Sequence, residues 1–361
     1  MTGMRVATVD RGALRHNIGV LSQRVAPAAL MVIVKADAYG HGAVEVARVA
    51  VECGIRHLGA LDLGTGLRLR EAGIPRDVVV LAWHFGPDEV FGEAIVAGVS
   101  LGVSQLSELD RIEKSNVDVE AFVHLKIDTG LRRNGATAED WPGLVQRALD
   151  LQARGIVRII GVWTHIAEAS EEEDTEAVRR FDAAIAVAEA LGARFELRHL
   201  AASSAGFRRD DVRFDLVRMG GHVWGIPSFD GITASEMGLR PVMTLSATIT
   251  AIEPIELASG EQAQLAEVPL GFVDGIPRNV AGAVSVAVNG KRYPIDREIG
   301  HSSFLLEVDE GVRVGDSAGL FGSGDHGEQT VREWGDLTDT LGDEIVARLG
   351  SRIDRIYVDR D

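Results

Sequence analysis

The sequence predicts an α/β chain: an N-terminal (β/α)8 barrel followed by a C-terminal, mostly-β domain. Two observations predict the barrel. Short β-rich runs alternate with helix-periodic stretches over the first two-thirds of the 361 residues. Eight such strand–helix steps fill about 230 residues, the size of a (β/α)8 unit. A third observation predicts the second domain: near Pro241 helical periodicity gives way to alternating runs. The expected division is residues 1–236 and 237–361. A doubly wound sheet is the alternative, but no G-x-G-x-x-G follows the first strand.

Each element has a local reason. Leu14, Ile18 and Leu21 sit at helical spacing around Asn17. The β-branched run Val32-Ile33-Val34 marks a buried strand over 31–35. Val44, Val46, Ala47 and Ala50 make 43–53 helical. Further strands are expected at 57–61, 77–82, 100–103, 120–127, 157–163, 196–200 and 213–217, with helices at 64–72, 104–114, 139–153 and 173–191. The acidic run Glu171–Asp174 fits a helix N-terminus or a solvated loop. In the second domain, 244–250 reads as a strand. Val284–Val288 alternates and ends in Asn289-Gly290, a hairpin signal. Residues 304–308 and 317–321 are strand-like, 342–350 helical, and 356–358 a short closing strand.

Composition narrows the function classes. Hydrophobic residues at 46% and charged residues at 25% fit a globular enzyme. A net charge of −17 argues against nucleic acid and anionic membranes as partners. The single cysteine, Cys53, allows neither an intrachain disulfide nor a cysteine metal cluster. The N-terminus has no apolar signal-peptide core, and no run is long and apolar enough to span a bilayer. A cytoplasmic protein is expected.

The chemistry concentrates at strand ends. Lys35 closes the strand at 31–35, ahead of the Gly-bounded turn Gly40-His41-Gly42. The C-terminal ends of barrel strands are where catalytic residues sit. A lysine held there beside apolar walls can lose its proton and attack a carbonyl, as a Schiff-base lysine does. Tyr39 is near enough in sequence to serve the same site. A solvent-facing lysine has the same local pattern. Lys126-Ile127-Asp128-Thr129-Gly130-Leu131-Arg132-Arg133-Asn134-Gly135 ends another strand, and a plain βα loop also has this polarity. His165, in Gly161-Val162-Trp163-Thr164-His165, is placed to stack on a flat ring or to be a structural histidine. His165 and His199 lack an H-x-H or carboxylate cluster, which disfavours a metal-dependent hydrolase and predicts no metal.

Together these segments resemble the alanine racemase family of fold-type III pyridoxal 5′-phosphate (PLP) enzymes. Val34-Lys35-Ala36-Asp37-Ala38-Tyr39-Gly40-His41-Gly42 resembles its PLP motif. The resemblance implies an internal aldimine on Lys35 and a phosphate contact from Tyr39. The Lys126–Gly135 run resembles the K-x-D-T-G-M-x-R-x-G segment. By resemblance Arg133 positions the cofactor's phenolic oxygen and the substrate. Lys126, at a position often carbamylated, steadies that arginine. Thr164-His165 resembles the family's T-H, whose histidine lies against the pyridine ring. His199-Leu200-Ala201-Ala202-Ser203-Ser204 resembles H-x-A-N-S-A, making Ser203 a phosphate ligand and Ala202 a lost polar contact. Arg218-Met219-Gly220-Gly221 resembles the segment whose arginine faces the pyridine nitrogen. A guanidinium holds its proton, so it leaves that nitrogen unprotonated and weakens the electron sink. Gly220 and Gly221 then offer backbone amides to phosphate. Arg355-Ile356-Tyr357 resembles the closing R-x-Y, with Tyr357 another phosphate ligand. A homodimer with shared active sites and a small amino-acid substrate are implied.

The resemblance breaks in the second domain. Gly271-Phe272-Val273-Asp274-Gly275 carries Phe272 where the family has tyrosine. The family's Y-G-x-x-Y loop, with its second catalytic base, corresponds to the shorter Gly260–Glu267, which has no tyrosine. The family's M-D is replaced by Gly300-His301. Racemisation needs a base on each face of the α-carbon. Lys35 serves one face, and His301, with an imidazole suited to proton transfer near neutrality, is the candidate for the other. One-faced PLP chemistry (decarboxylation, elimination or aldol-type cleavage) and a non-catalytic PLP-binding homologue are the alternatives. The shorter loop and Phe272 also predict a pocket for a substrate larger than alanine.

Overall fold

The computed structural model describes residues 3–256 and 262–360. The strands are β1 (Arg5–Asp10), β2 (Ala29–Ile33), β3 (His57–Leu61), β4 (Val79–Ala82), β5 (Ser100–Val103), β6 (Ala121–Lys126), β7 (Val157–Trp163), β8 (Leu197–His199), β9 (Leu216–Met219), β10 (Met243–Thr248), β11 (Ala251–Glu256), β12 (Gln262–Val268), β13 (Ser285–Val288), β14 (Lys291–Pro294), β15 (Phe304–Val308), β16 (Ser317–Phe321) and β17 (Asp354–Val358).

Two units form. One gathers Ile18–Lys35 and Ala43–Gly220; the other gathers the chain up to Asn17, the turn Ala36–Gly42 and the chain from Gly221 on. The expected single cut at 236/237 differs from this interleaved division. The physical reason is β1, which pairs antiparallel with β10 and parallel with β17. Pairing across so much sequence leaves no local signal.

The first unit is an eight-stranded parallel sheet in the order β8-β7-β6-β5-β4-β3-β2-β9. Its two ends meet through Asp215 N donating to Arg198 O at 3.0 Å and Arg218 N donating to Ala201 O at 3.2 Å, which rounds the sheet into a barrel. Every expected barrel strand is present. Leu30, Met31 and Val32 on β2, and Leu101 and Val103 on β5, are buried, as strands covered on both faces require. The helices between strands begin on side-chain caps where the sequence provides them. Asp62 accepts from Thr65 N at 2.7 Å and Ser170 accepts from Glu173 N at 3.1 Å. The acidic run after Ser170 is the first turn of the helix Glu171–Ala190, where its charge favours the helix dipole.

The second unit holds a six-stranded sheet, order β14-β13-β16-β10-β1-β17, and a three-stranded sheet, β11-β12-β15. The predicted hairpin is β13–β14, with Asn289 and Gly290 at φ 51° and 78°, the left-handed pair that a two-residue turn needs. Gly260 and Glu261 lie outside the described residues. Gln262–Glu267 form most of β12, paired on both sides by β11 and β15. Among the described residues, no helix is long and apolar enough to cross a membrane.

Candidate active site

The barrel unit builds its polar end from neighbouring strands in register. Lys126 on β6 stands opposite Trp163 on β7, which stands opposite His199 on β8. Lys126 is 1% exposed, its Nζ lies 4.1 Å above the Trp163 ring, and it donates to Asn134 Oδ1. Burial, then Arg218 and Arg133, push its pKa down to about 7. The neutral amine is therefore populated near neutrality.

Arg218, on β9, is buried. Its fork donates to Thr164 O at 2.8 Å, Leu200 O at 2.9 Å and His199 Nδ1 at 3.1 Å, and its guanidinium lies 5.1 Å from the Trp163 ring. Burial draws its pKa down to about 9, which still leaves a cation at neutral pH. Because arginine only donates, His199 Nδ1 must accept. The proton of neutral His199 is then on Nε2, which donates to His124 Nδ1 at 3.1 Å. The His124 proton is in turn on Nε2, buried without a hydrogen-bond partner. One guanidinium thus sets two tautomers in series. The barrel makes room for this chain at Gly161, where a Cβ would stand 2.5 Å from His124 Nδ1.

His165 reports the electrostatics. Burial pushes its pKa down to about 2, helped by Arg218, Arg133, Lys126 and Lys35, in that order. Its Nδ1 is buried without a hydrogen-bond partner. Lys35 stands just beyond β2, whose extension is bonded by Val34 N to Gly59 O at 2.9 Å. Five of the residues singled out in the sequence therefore act on one another electrostatically at one end of the barrel. In the same unit Ser203 Oγ accepts from Gly220 N at 3.2 Å. A cluster of basic groups around an unsatisfied imidazole fits an anionic, aromatic cofactor such as PLP. Among the described residues, no group of His, Cys, Asp and Glu is placed to hold a metal.

The other unit holds Tyr39, Gly221, His301 and Tyr357. Ala36, Asp37, Ala38 and Tyr39 all have φ between 51° and 53°, forming a left-handed turn. Such backbone costs roughly 1–2 kcal/mol per non-glycine residue, and persists only where contacts impose it. Burial, then Asp343, pushes the Tyr39 hydroxyl well above its ordinary range, so it stays protonated. A Cβ on Gly42 would overlap the Tyr357 hydroxyl. His301 is exposed, with the Phe272 ring edge-on at 5.1 Å. Phe272 N donates to Gly300 O at 3.1 Å and Val273 N to His301 O at 3.2 Å, which holds the two loops together.

Sequence reasoning missed His124, Trp163, Asn134 and Arg355 as participants. His124 was findable, because it shares a strand face with Lys126 two residues on. The others needed the fold.

A parallel eight-stranded barrel, a lysine just past a strand end and a cluster of basic groups, with a β-rich unit in the same chain, define the fold-type III class of PLP-dependent enzymes. Two family models match the chain: the alanine racemase N-terminal domain over residues 9–227 and the alanine racemase C-terminal domain over 242–357. The alanine racemase of Beutenbergia cavernae is 40% identical over 375 residues, covering 99% of both chains. That of Thermobifida fusca is 38% identical over 373 residues, again covering 99% of both. Among solved structures, alanine racemase from Streptomyces coelicolor A3(2) superposes with a TM-score of 0.93 at 37% identity, covering 99% of this chain and 98% of that one. The enzyme from D-cycloserine-producing Streptomyces lavendulae gives a TM-score of 0.94 at 34% identity, covering 100% and 98%. The chain belongs to the alanine racemase family and is a PLP-dependent isomerase of the racemase type.

The buried neutral histidines carry a pH prediction. Burial, above all, holds the pKa of His41 down to about 4 and that of His124 to about 3, and takes His199 well below 6.5. The unfolded chain therefore binds these protons first as pH falls. Their contribution to stability is complete above about pH 6.5 and drains away below it, by about 1.4 kcal/mol per pH unit for each histidine. Denaturant midpoints should fall steeply between about pH 6.5 and 4.5. A flat profile there would show that these rings are charged in the folded protein.

Proposed function

We propose that the protein racemises a small amino acid, alanine or one somewhat larger, at its α-carbon. The observation that carries this is the group of four basic side chains, Lys35, Lys126, Arg133 and Arg218, gathered at one end of the barrel and acting on the half-buried His165. Bound PLP supplies an electron sink conjugated to the substrate's α-carbon. Lys35 would hold the cofactor covalently at rest; once the substrate's amine had displaced it, its freed Nζ would take and return the α-proton on one face. Tyr39, Ser203, Tyr357 and the amides of Gly220 and Gly221 would hold the phosphate. Arg218, which can only donate, would leave the ring nitrogen unprotonated. His165 would support the ring, and Arg133 would orient the phenolic oxygen and the substrate carboxylate. Lys126 adds CO2 through its neutral amine, releasing a proton, and the resulting carbamate steadies Arg133.

His301 is the proposed proton carrier for the opposite face, reaching a partner's site in a cytoplasmic homodimer. The chain's tyrosines support the need for a replacement. There are three, and Tyr39 and Tyr357 are assigned to phosphate. The third, Tyr293, is buried on β14, and its pKa is raised by burial and by its hydrogen bond to Asp309. Phe272 and the tyrosine-free β12 also favour a second reading, one-faced chemistry with Lys35 alone. His301→Phe separates the two. Racemisation should be lost while one enantiomer still exchanges its α-proton. Unchanged racemisation kinetics would remove His301 from the reaction. For the cofactor itself, borohydride reduction of PLP-loaded enzyme should mark Lys35, and a different marked lysine would defeat the assignment.

A further inference from the structure

The left-handed turn Ala36–Tyr39 contains no glycine, so its conformation must be imposed from outside. The contacts that impose it are visible within its own unit. Arg355 Nε donates to Gly40 O at 2.6 Å, and Arg355 Nη2 donates to Leu349 O at 3.1 Å. A Cβ on Gly40 would overlap Val346 O, so the guanidinium and the 346–349 backbone grip the end of the turn together. His41 grips it from the other side. Its Nδ1 donates to Ala38 O at 2.9 Å and to Tyr39 O at 3.0 Å, and its ring stacks on Trp224 at 4.7 Å and 19°. Trp224 also touches Tyr39, with ring centroids 5.9 Å apart. Arg355 and Tyr357 lie two residues apart on β17, hence on one face of it. The last strand thus delivers both the clamp on the Tyr39 turn and the Tyr357 hydroxyl beside Gly42.

We infer that Arg355 is a positioning residue for the cofactor phosphate: it holds the strained turn so that the Tyr39 hydroxyl is set in advance. The inference rests on the phosphate assignment of Tyr39 and Tyr357 made above. Arg355 touches backbone carbonyls, so its effect on the ligand passes through Tyr39. A pre-set ligand group loses affinity when its support is removed, on the order of tenfold or more.

The test uses full-length enzyme stripped of cofactor and titrated with PLP and with pyridoxal, which has the same ring and aldehyde but no phosphate. Arg355→Ala should weaken PLP binding by at least about tenfold and leave pyridoxal binding unchanged. Arg355→Lys, which can bond Gly40 O or Leu349 O but not both, should fall between wild type and Arg355→Ala. If Arg355→Ala does not fold, the lysine variant carries the same comparison. A merely structural arginine would lower thermal stability without changing the ratio of the two affinities, and that result overturns the inference. Equal loss of PLP and pyridoxal binding overturns it as well. A wild-type protein that binds both equally would instead refute the phosphate assignment beneath it.

Discussion

Replacing Lys35 with alanine should abolish the visible absorbance of bound PLP and reduce turnover by at least about four orders of magnitude. The size of the effect follows from the double use of one amine. As the proposed covalent anchor it would offset in advance the entropy of bringing cofactor and substrate together. As the proposed proton carrier on one face, once released from the cofactor, it would contribute the roughly 10²–10⁴-fold typical of a positioned general base. No neighbouring amine is free to replace it. Lys126, on β6, is packed over Trp163 and bonded to Asn134 in the loop that follows. Borohydride treatment of the variant should leave no reduced lysine adduct. An adduct that survives would place the covalent link elsewhere.

Arg218→Ala should be the most destabilising single change at the barrel's polar end. It removes the Arg218 donors from Thr164 O, Leu200 O and His199 Nδ1, all buried; Leu200 O keeps the longer bond from Ile166 N at 3.5 Å. Each unsatisfied group costs about 1–3 kcal/mol, so a total loss of roughly 3–5 kcal/mol is expected, offset in part because a buried charge goes too. Arg218→Lys keeps the charge but not the fork and should recover only part of the loss. A second consequence is electrostatic. Arg218 is among the groups that lower the pKa of both Lys126 and His165. Its removal should raise both, which NMR titration reads directly. Stability and pKa values unchanged in Arg218→Ala would contradict the hydrogen-bond chain from Arg218 through His199 to His124.

Much of this was legible in the sequence because it is locally encoded. The barrel strands announce themselves as β-branched or apolar runs between helical periods, and β2 to β9 all fall where those runs are. Asn289-Gly290 marks its hairpin because only residues tolerant of positive φ suit that turn. What the sequence could not display is what distant contacts impose. β1 is a strand only because β10 and β17 flank it. Lys35–Tyr39 reads as ordinary strand end and turn. The left-handed backbone of 36–39 is held by Arg355, 315 residues beyond the Gly40 carbonyl it bonds, and by a histidine stacked on Trp224. The two histidine tautomers follow from Arg218, which reaches them only once the barrel closes. Motif resemblance found the groups proposed to touch cofactor, while the groups that hold those in place emerged from the fold.

The most direct test of the account is α-proton exchange in deuterated water, followed by NMR and chiral analysis, on PLP-loaded enzyme with D- and L-alanine and a panel of larger amino acids. The account predicts that at least one pair of enantiomers interconverts, with deuterium incorporated at the α-carbon of both. Exchange confined to one enantiomer without inversion would contradict it, leaving Lys35 working a single face with no partner base.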